Sequence, residues 1–176
     1  MKKFTKFIII TLLFILAGCN SDDDENDLYN PPDYFDYTQE EIANEQKIIE
    51  AFINDHSLNM TKTSSGLHYS LEVERDGIKP DLTDSVIVHH EAYDITNDTL
   101  IYRSDRSASL LGQRIYIQNT IEGVKEGLLK APEGSKLHII VPSYLAYGKS
   151  PLSSTVPPRT ILDIKFEINK VVKDSL

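Results

Sequence analysis

The sequence contains no tryptophan, one cysteine and two methionines among its 176 residues. A single cysteine cannot close an internal disulfide, so an ordinary apolar core has to hold the fold. Positive charge is also scarce. Lys and Arg number 18 against 27 Asp and Glu, a formal net charge of −9. Nucleic-acid binding rewards clustered Lys and Arg, and this balance argues against it. Glycine-rich phosphate loops and Gly-x-Ser-x-Gly elbows are missing, which argues against nucleotide-phosphate and serine-hydrolase chemistry. The one histidine pair, His89-His90, sits in an alternating apolar stretch. Neighbours on a strand point to opposite faces and do not readily share an ion. His56, His68 and His138 have no ligand spacing with that pair. No metal and no cofactor are expected.

What is present begins with an apolar leader. Lys2, Lys3 and Lys6 precede residues 7–16, an apolar stretch of the length found in secretory signals. Leu16-Ala17-Gly18-Cys19 resembles the lipobox of bacterial lipoproteins. That resemblance implies a signal peptide over residues 1–18 and a lipidated Cys19. The chain would then be anchored in the cell envelope, at the outer membrane of a Gram-negative bacterium, on its periplasmic face or the cell surface. Lipid chains hold a protein at a membrane without spanning it, and no later apolar run is long enough to span. Residues 19–37 carry Asp22, Asp23, Asp24, Glu25 and Asp27. They read as a self-repelling, solvated tether; no glycine-punctuated loop is there to wrap a cation. The same acidic run resembles the surface-export signal of Bacteroidetes lipoproteins.

Residues 38–63 read as a helix and a connector. Thr38-Gln39-Glu40-Glu41 forms a capping box, and Ile42, Ile48, Ile49, Phe52 and Ile53 recur at helical spacing. That stripe needs a partner, either the domain surface or a second copy of the chain, so self-association or docking through this helix is one expectation. Residues 64–173 then read as one domain. Strands are expected from Leu67 to Val73, Val86 to Tyr93, Leu100 to Arg103, Arg114 to Gln118, Lys136 to Val141 and Leu162 to Ile168. Ile121, Val124, Leu128 and Leu129 mark one short helix. The fold class is α+β, a curved antiparallel sheet packed on that helix, with an extra helix before it.

Five segments in this order resemble the FKBP-type peptidyl-prolyl isomerases. They are Ser-Gly-Leu-His-Tyr (65–69), Asp-Ser-Val-Ile-Val-His (84–89), Ile-Glu-Gly-Val-Lys-Glu-Gly-Leu (121–128), Val-Pro-Ser-Tyr-Leu-Ala-Tyr-Gly (141–148) and Val-Pro-Pro-Arg-Thr-Ile-Leu (156–162). The layout with a leading helix is similar to exported bacterial members, including the gliding-motility-associated lipoproteins of Flavobacteria. The resemblance implies rotation of X–Pro bonds in proline-containing polypeptides and assistance to the folding of envelope or surface proteins. A catalytically weak binding or chaperone module, or a component of an envelope machine such as gliding or secretion, is the alternative. The chemistry needs no nucleophile. Amide resonance sets a barrier of roughly 18–20 kcal/mol, and a site that binds the twisted amide best lowers it.

The resemblance assigns Tyr147 as a hydroxyl donor to the substrate carbonyl and Ile121 as a backbone N–H donor. Val156 and Tyr102 become apolar walls. Five positions depart from the family pattern. His90 replaces a tyrosine, Arg103 an aspartate, Val124 a tryptophan, Ile164 a phenylalanine, and Ile115 or Ile117 another aromatic. These changes imply a wider, more aliphatic and differently charged pocket with weakened activity. Arg103 in that pocket would favour an acidic residue before the proline.

Overall fold

The computed structural model describes residues 36–150, 152–154 and 156–174. The leader, Cys19 and most of the acidic tether lie outside them. In chain order the elements are α1 (Gln39–Asp55), β1 (Thr61–Lys62), β2 (His68–Val73), β3 (Ser85–Asp94), β4 (Thr99–Arg103), β5 (Gln113–Tyr116), α2 (Glu122–Leu128), β6 (Lys136–Val141) and β7 (Leu162–Val172). Short 3₁₀ turns occupy Ile117–Asn119 and Ser143–Leu145.

All seven strands form one antiparallel sheet in the order β1-β2-β6-β7-β3-β4. β3 and β7 are its spine, paired from Ser85↔Val172 to Asp94↔Leu162. The free edge of β3 is divided. Its first half pairs with β5 (Val86↔Ile115) and its second with β4 (Ala92↔Tyr102). This division opens the sheet beside His90 and Ala92, where the cavity described below lies. The α+β class is as the sequence reading has it. The two-residue β1 falls inside the stretch read as a connector.

Alternation along β6 separates two cores. Leu137, Ile139 and Val141 face α2, where Gly123 and Gly127 lie against Val141 and Ile139. Ile140 points the other way and packs with Ile49 of α1 and Ile161. The two helices thus cover opposite faces of the sheet. The capping box of α1 is present: the Thr38 N–H donates to Glu41 Oε2 (2.8 Å) and the Glu41 N–H to Thr38 Oγ1 (3.2 Å). The stripe of α1 finds its partner in the chain's own sheet. Ile49 is fully buried, with Phe52 and Ile53 packed beside it. Ile48, read as part of the stripe, is 46% exposed, and the inward positions next to Ile49 are held by Glu45 and Gln46. Tyr37, read as the end of the solvated tether, is buried against Tyr144.

Candidate functional site

A cavity of about 600 Å³ opens between the split edge of β3, the start of α2 and the loop from β6 to β7. No Asp, Glu, Lys or Arg lines it among the described residues. Val124 and Ile164 contribute to its floor, both buried. One wall is a stack of rings. His90 lies 4.7 Å from Tyr102 and 5.2 Å from Phe166, centroid to centroid, at interplanar angles of 25° and 21°. Ile115 and Ile121 border the cavity, and Tyr147, Leu152 and Val156 reach it from the loop.

The loop's local bonding aims Tyr147. The Ser143–Leu145 turn leads into it, and the Gly148 N–H returns to Ser143 O at 2.8 Å. Gly148 has φ +66, a conformation that glycine adopts without strain. Gly148 O then accepts the Arg159 N–H at 2.8 Å, closing the loop's base. Nearer the tip, Leu152 donates to Val156 O at 3.1 Å, and Val156 donates to Ser153 O at 3.2 Å. Burial raises the Tyr147 pKa, so its hydroxyl stays a proton donor at neutral pH. A donor in a poorly solvated pocket acts with little competition from water. Ile121 caps α2 with extended backbone, and its own N–H precedes the intrahelical bonds.

His90 departs furthest from a simple apolar wall. Its backbone N–H donates to Ser104 Oγ at 3.0 Å, while its buried Nδ1 has no partner. Burial, reinforced by His89, lowers its pKa to about 4, so the ring is neutral near pH 7. His89 faces the other side of the strand, within hydrogen-bonding distance of Ser104 Oγ (3.3 Å) and Leu110 O (3.2 Å).

The structure brings together Tyr147, Tyr102, Ile121, Val156, His90, Ile115, Val124 and Ile164. Ile117, the alternative to Ile115, is fully buried in the core instead. Arg103 does not join them. It follows Tyr102 on β4 and so points to the opposite face, into a polar groove of about 650 Å³ that shares only His90 and Phe166 with the cavity. There its Nε bonds Glu91 Oε2 at 2.9 Å and its guanidinium also meets the Tyr93 hydroxyl. An arginine so engaged and so directed gives no reason for acidic preference in the apolar pocket. Tyr102 is 40% exposed at the rim, its hydroxyl donating to Gln113 Oε1 at 2.5 Å. Sequence reasoning missed Phe166, Ala92, Leu162, Ile101 and Leu152 as lining residues. Parity could have found three of them. Phe166 and Leu162 flank Ile164 at two-residue spacing, and Ala92 follows His90 in the same way.

The family model for FKBP-type peptidyl-prolyl cis-trans isomerases matches residues 76–169, more than half the chain. Among curated proteins, the chain is 34% identical over 114 residues to the FKBP-type peptidyl-prolyl cis-trans isomerase FkpA of Aeromonas hydrophila. That match covers 63% of this chain and 40% of the relative. It is 27% identical over 116 residues to the FKBP-type 22 kDa isomerase of Escherichia coli, covering 64% and 53%. The chain thus spans about half the length of the curated relatives it matches. A peptidyl-prolyl cis-trans isomerase from Pseudomonas syringae shares the fold, with TM-score 0.61 at 20% identity over 74% of this chain and 96% of that one.

Proposed function

The chain belongs to the FKBP-type peptidyl-prolyl cis-trans isomerase family, and from that premise we propose that it isomerises X–Pro bonds in proline-containing polypeptides at the cavity carrying Tyr147. One observation carries the reading. An apolar cavity without charged side chains among the described residues carries two phenols: Tyr102 at the rim spends its hydroxyl on Gln113, whereas the half-buried Tyr147 hydroxyl has no hydrogen-bond partner among the described residues. The proline ring enters against Val124, Ile164 and Phe166, the ring stack and Val156 exclude water, and Tyr147 donates to the carbonyl of the turning amide. An amide twisted out of plane loses resonance and gains from an apolar surround. Binding that state more tightly than the planar one lowers the barrier. X–Pro isomerisation is slow enough to limit the folding of a client.

The envelope is the proposed workplace, with Cys19 carrying the lipid and the acidic residues after it acting as a tether. The leader and the lipobox-like residues 16–19 support this. Replacing Cys19 by serine is expected to shift the protein from the membrane pellet to the soluble fraction; an unchanged distribution would remove the anchor. A binding module with little catalysis is favoured by one observation, the aliphatic floor at Val124 and Ile164, which offers no large ring surface. NMR exchange spectroscopy on X–Pro peptides separates the two readings. The isomerase accelerates cis–trans exchange at substoichiometric concentration, whereas a pure binder shifts peptide resonances without accelerating exchange.

A further inference from the structure

An amphipathic helix normally turns apolar residues inward, yet α1 also buries Glu45 and Gln46, 6% and 8% exposed. A carboxylate in such a place has to be hydrogen-bonded. One residue of the pocket loop supplies both bonds. The Ser143 N–H donates to Glu45 Oε2 at 2.9 Å and the Ser143 hydroxyl to Oε1 at 2.5 Å. With its proton given to Glu45, Ser143 Oγ accepts from the Tyr37 hydroxyl at 2.5 Å. The Tyr37 ring meets Tyr144 edge-on at 5.8 Å.

Gln46 grips the next loop residue. Its Nε2 donates to Tyr144 Oη and to Gly66 O, both at 2.9 Å, and its Oε1 lies 3.0 Å from His68 Nε2. Gly66 has φ +90, and a Cβ there would collide with the Tyr144 hydroxyl. The far end of the loop is held by Glu41, which pairs with Lys149 at 3.1 Å and with Arg159. Both cations lie over the Tyr37 ring, at 4.9 and 5.4 Å. Arg159 has φ +63, a strained conformation for a residue with a side chain. Both ends of the loop therefore rest on residues 37–46. The held atoms are one hydrogen bond from the site, since Gly148, next to Tyr147, donates to Ser143 O and accepts from Arg159 N.

We propose that Tyr37, Glu41, Glu45 and Gln46 are positioning residues: the N-terminal segment is a brace that keeps the loop segments 142–150 and 156–160 in their substrate-receiving form, with the Glu45–Ser143 contact at its centre. The proposal rests on the isomerase reading for its consequence in turnover, whereas the brace itself is measurable without catalysis. A loop released from the brace spends only a fraction of its time in the receiving form, and apparent affinity falls by that fraction. Ground state and transition state lose equally, so KM rises while kcat holds. Loss of folded protein has the opposite signature, a lower apparent kcat at unchanged KM.

The test uses the full chain with Glu45→Ala, the conservative Glu45→Gln, and Gln46→Ala on the neighbouring contact. Hydrogen exchange by mass spectrometry follows residues 143–150 against 162–172, and NMR lineshapes on an Ala-Pro peptide give KM and kcat. For Glu45→Ala the expected result is exchange at 143–150 faster by about tenfold, with 162–172 unchanged, and KM raised about tenfold at nearly constant kcat. Glu45→Gln restores most of both, because its amide oxygen still accepts the Ser143 N–H. Unchanged loop exchange, or a fall in kcat at constant KM, would overturn the brace. If Glu45→Ala does not fold, the other two variants decide by the same readouts, each then expected to loosen the loop more weakly. If the unaltered chain fails to accelerate exchange, the isomerase reading fails alone. Loop exchange and the peptide's dissociation constant, measured by titration, then judge the brace.

Discussion

At the level of single residues, the proposed site turns on one donor and one buried imidazole. Tyr147 Oη makes no internal bond among the described residues, so removing it should leave folding unchanged while weakening the contact to the turning amide. A net hydrogen bond is worth about 0.5–1.5 kcal/mol, which places Tyr147→Phe at a loss of roughly two- to tenfold in kcat/KM. His90 carries a pH signature. Its folded pKa of about 4 lies below the ordinary 6.5, so between those values the unfolded chain binds a proton that the folded chain refuses. Stability is then fully present above pH 6.5 and is lost as pH falls toward about 4. His68, lowered to about 4 by burial and by Lys62, titrates over the same window. His90→Phe should flatten, without abolishing, the acid limb of a denaturant-midpoint profile. An identical limb in the variant would mean that His90 is not the group responsible.

At the level of elements, α2 and α1 are fixed to the sheet by opposite means. α2 sits close because Gly123 and Gly127 carry no side chain; a Cβ on Gly127 would stand 2.9 Å from Ile139 Cγ2, and one on Gly123 would run into Val141 Cγ1. Gly123→Ala gains about 1 kcal/mol of helix propensity but overpacks a full core, which costs roughly 1–3 kcal/mol. A lower urea midpoint is expected, and a higher one would show that the sheet yields. α1 is held by a side chain, and Ile49→Ala should cost about 2–5 kcal/mol, measured by the same denaturation. The strands were legible because period-two alternation survives burial on one face, as Leu162, Ile164, Phe166 and Ile168 show. The capping box of α1 was legible because it is local. Glu45 and Gln46 were not, since their burial depends on Ser143 and Tyr144, about a hundred residues away in the chain. The family likeness pointed to Tyr147, Ile121 and Val156, which line one cavity. It misplaced Arg103, because a motif position carries no strand parity, and β4 turns Tyr102 inward and Arg103 outward.

At the level of the whole molecule, one sheet serves two helices. α2 closes the core beneath the pocket, and α1 on the other face sets its first half, Glu41 to Gln46, against the pocket loop. Among the described residues no helix is long and apolar enough to cross a membrane. The proposed tether leads into Tyr37, which is bonded to the loop between β6 and β7 at Ser143. The catalysis proposed for this arrangement needs only a shaped apolar space and one correctly aimed hydroxyl. The most direct test is cis–trans exchange of an X–Pro peptide, followed by NMR with catalytic amounts of the unaltered chain and of Tyr147→Phe, both checked for folding. Saturable acceleration by the first, reduced in the second, is the expected result. Exchange left at its uncatalysed rate by the well-folded unaltered chain, or acceleration that Tyr147→Phe leaves intact, would contradict the assignment of the pocket.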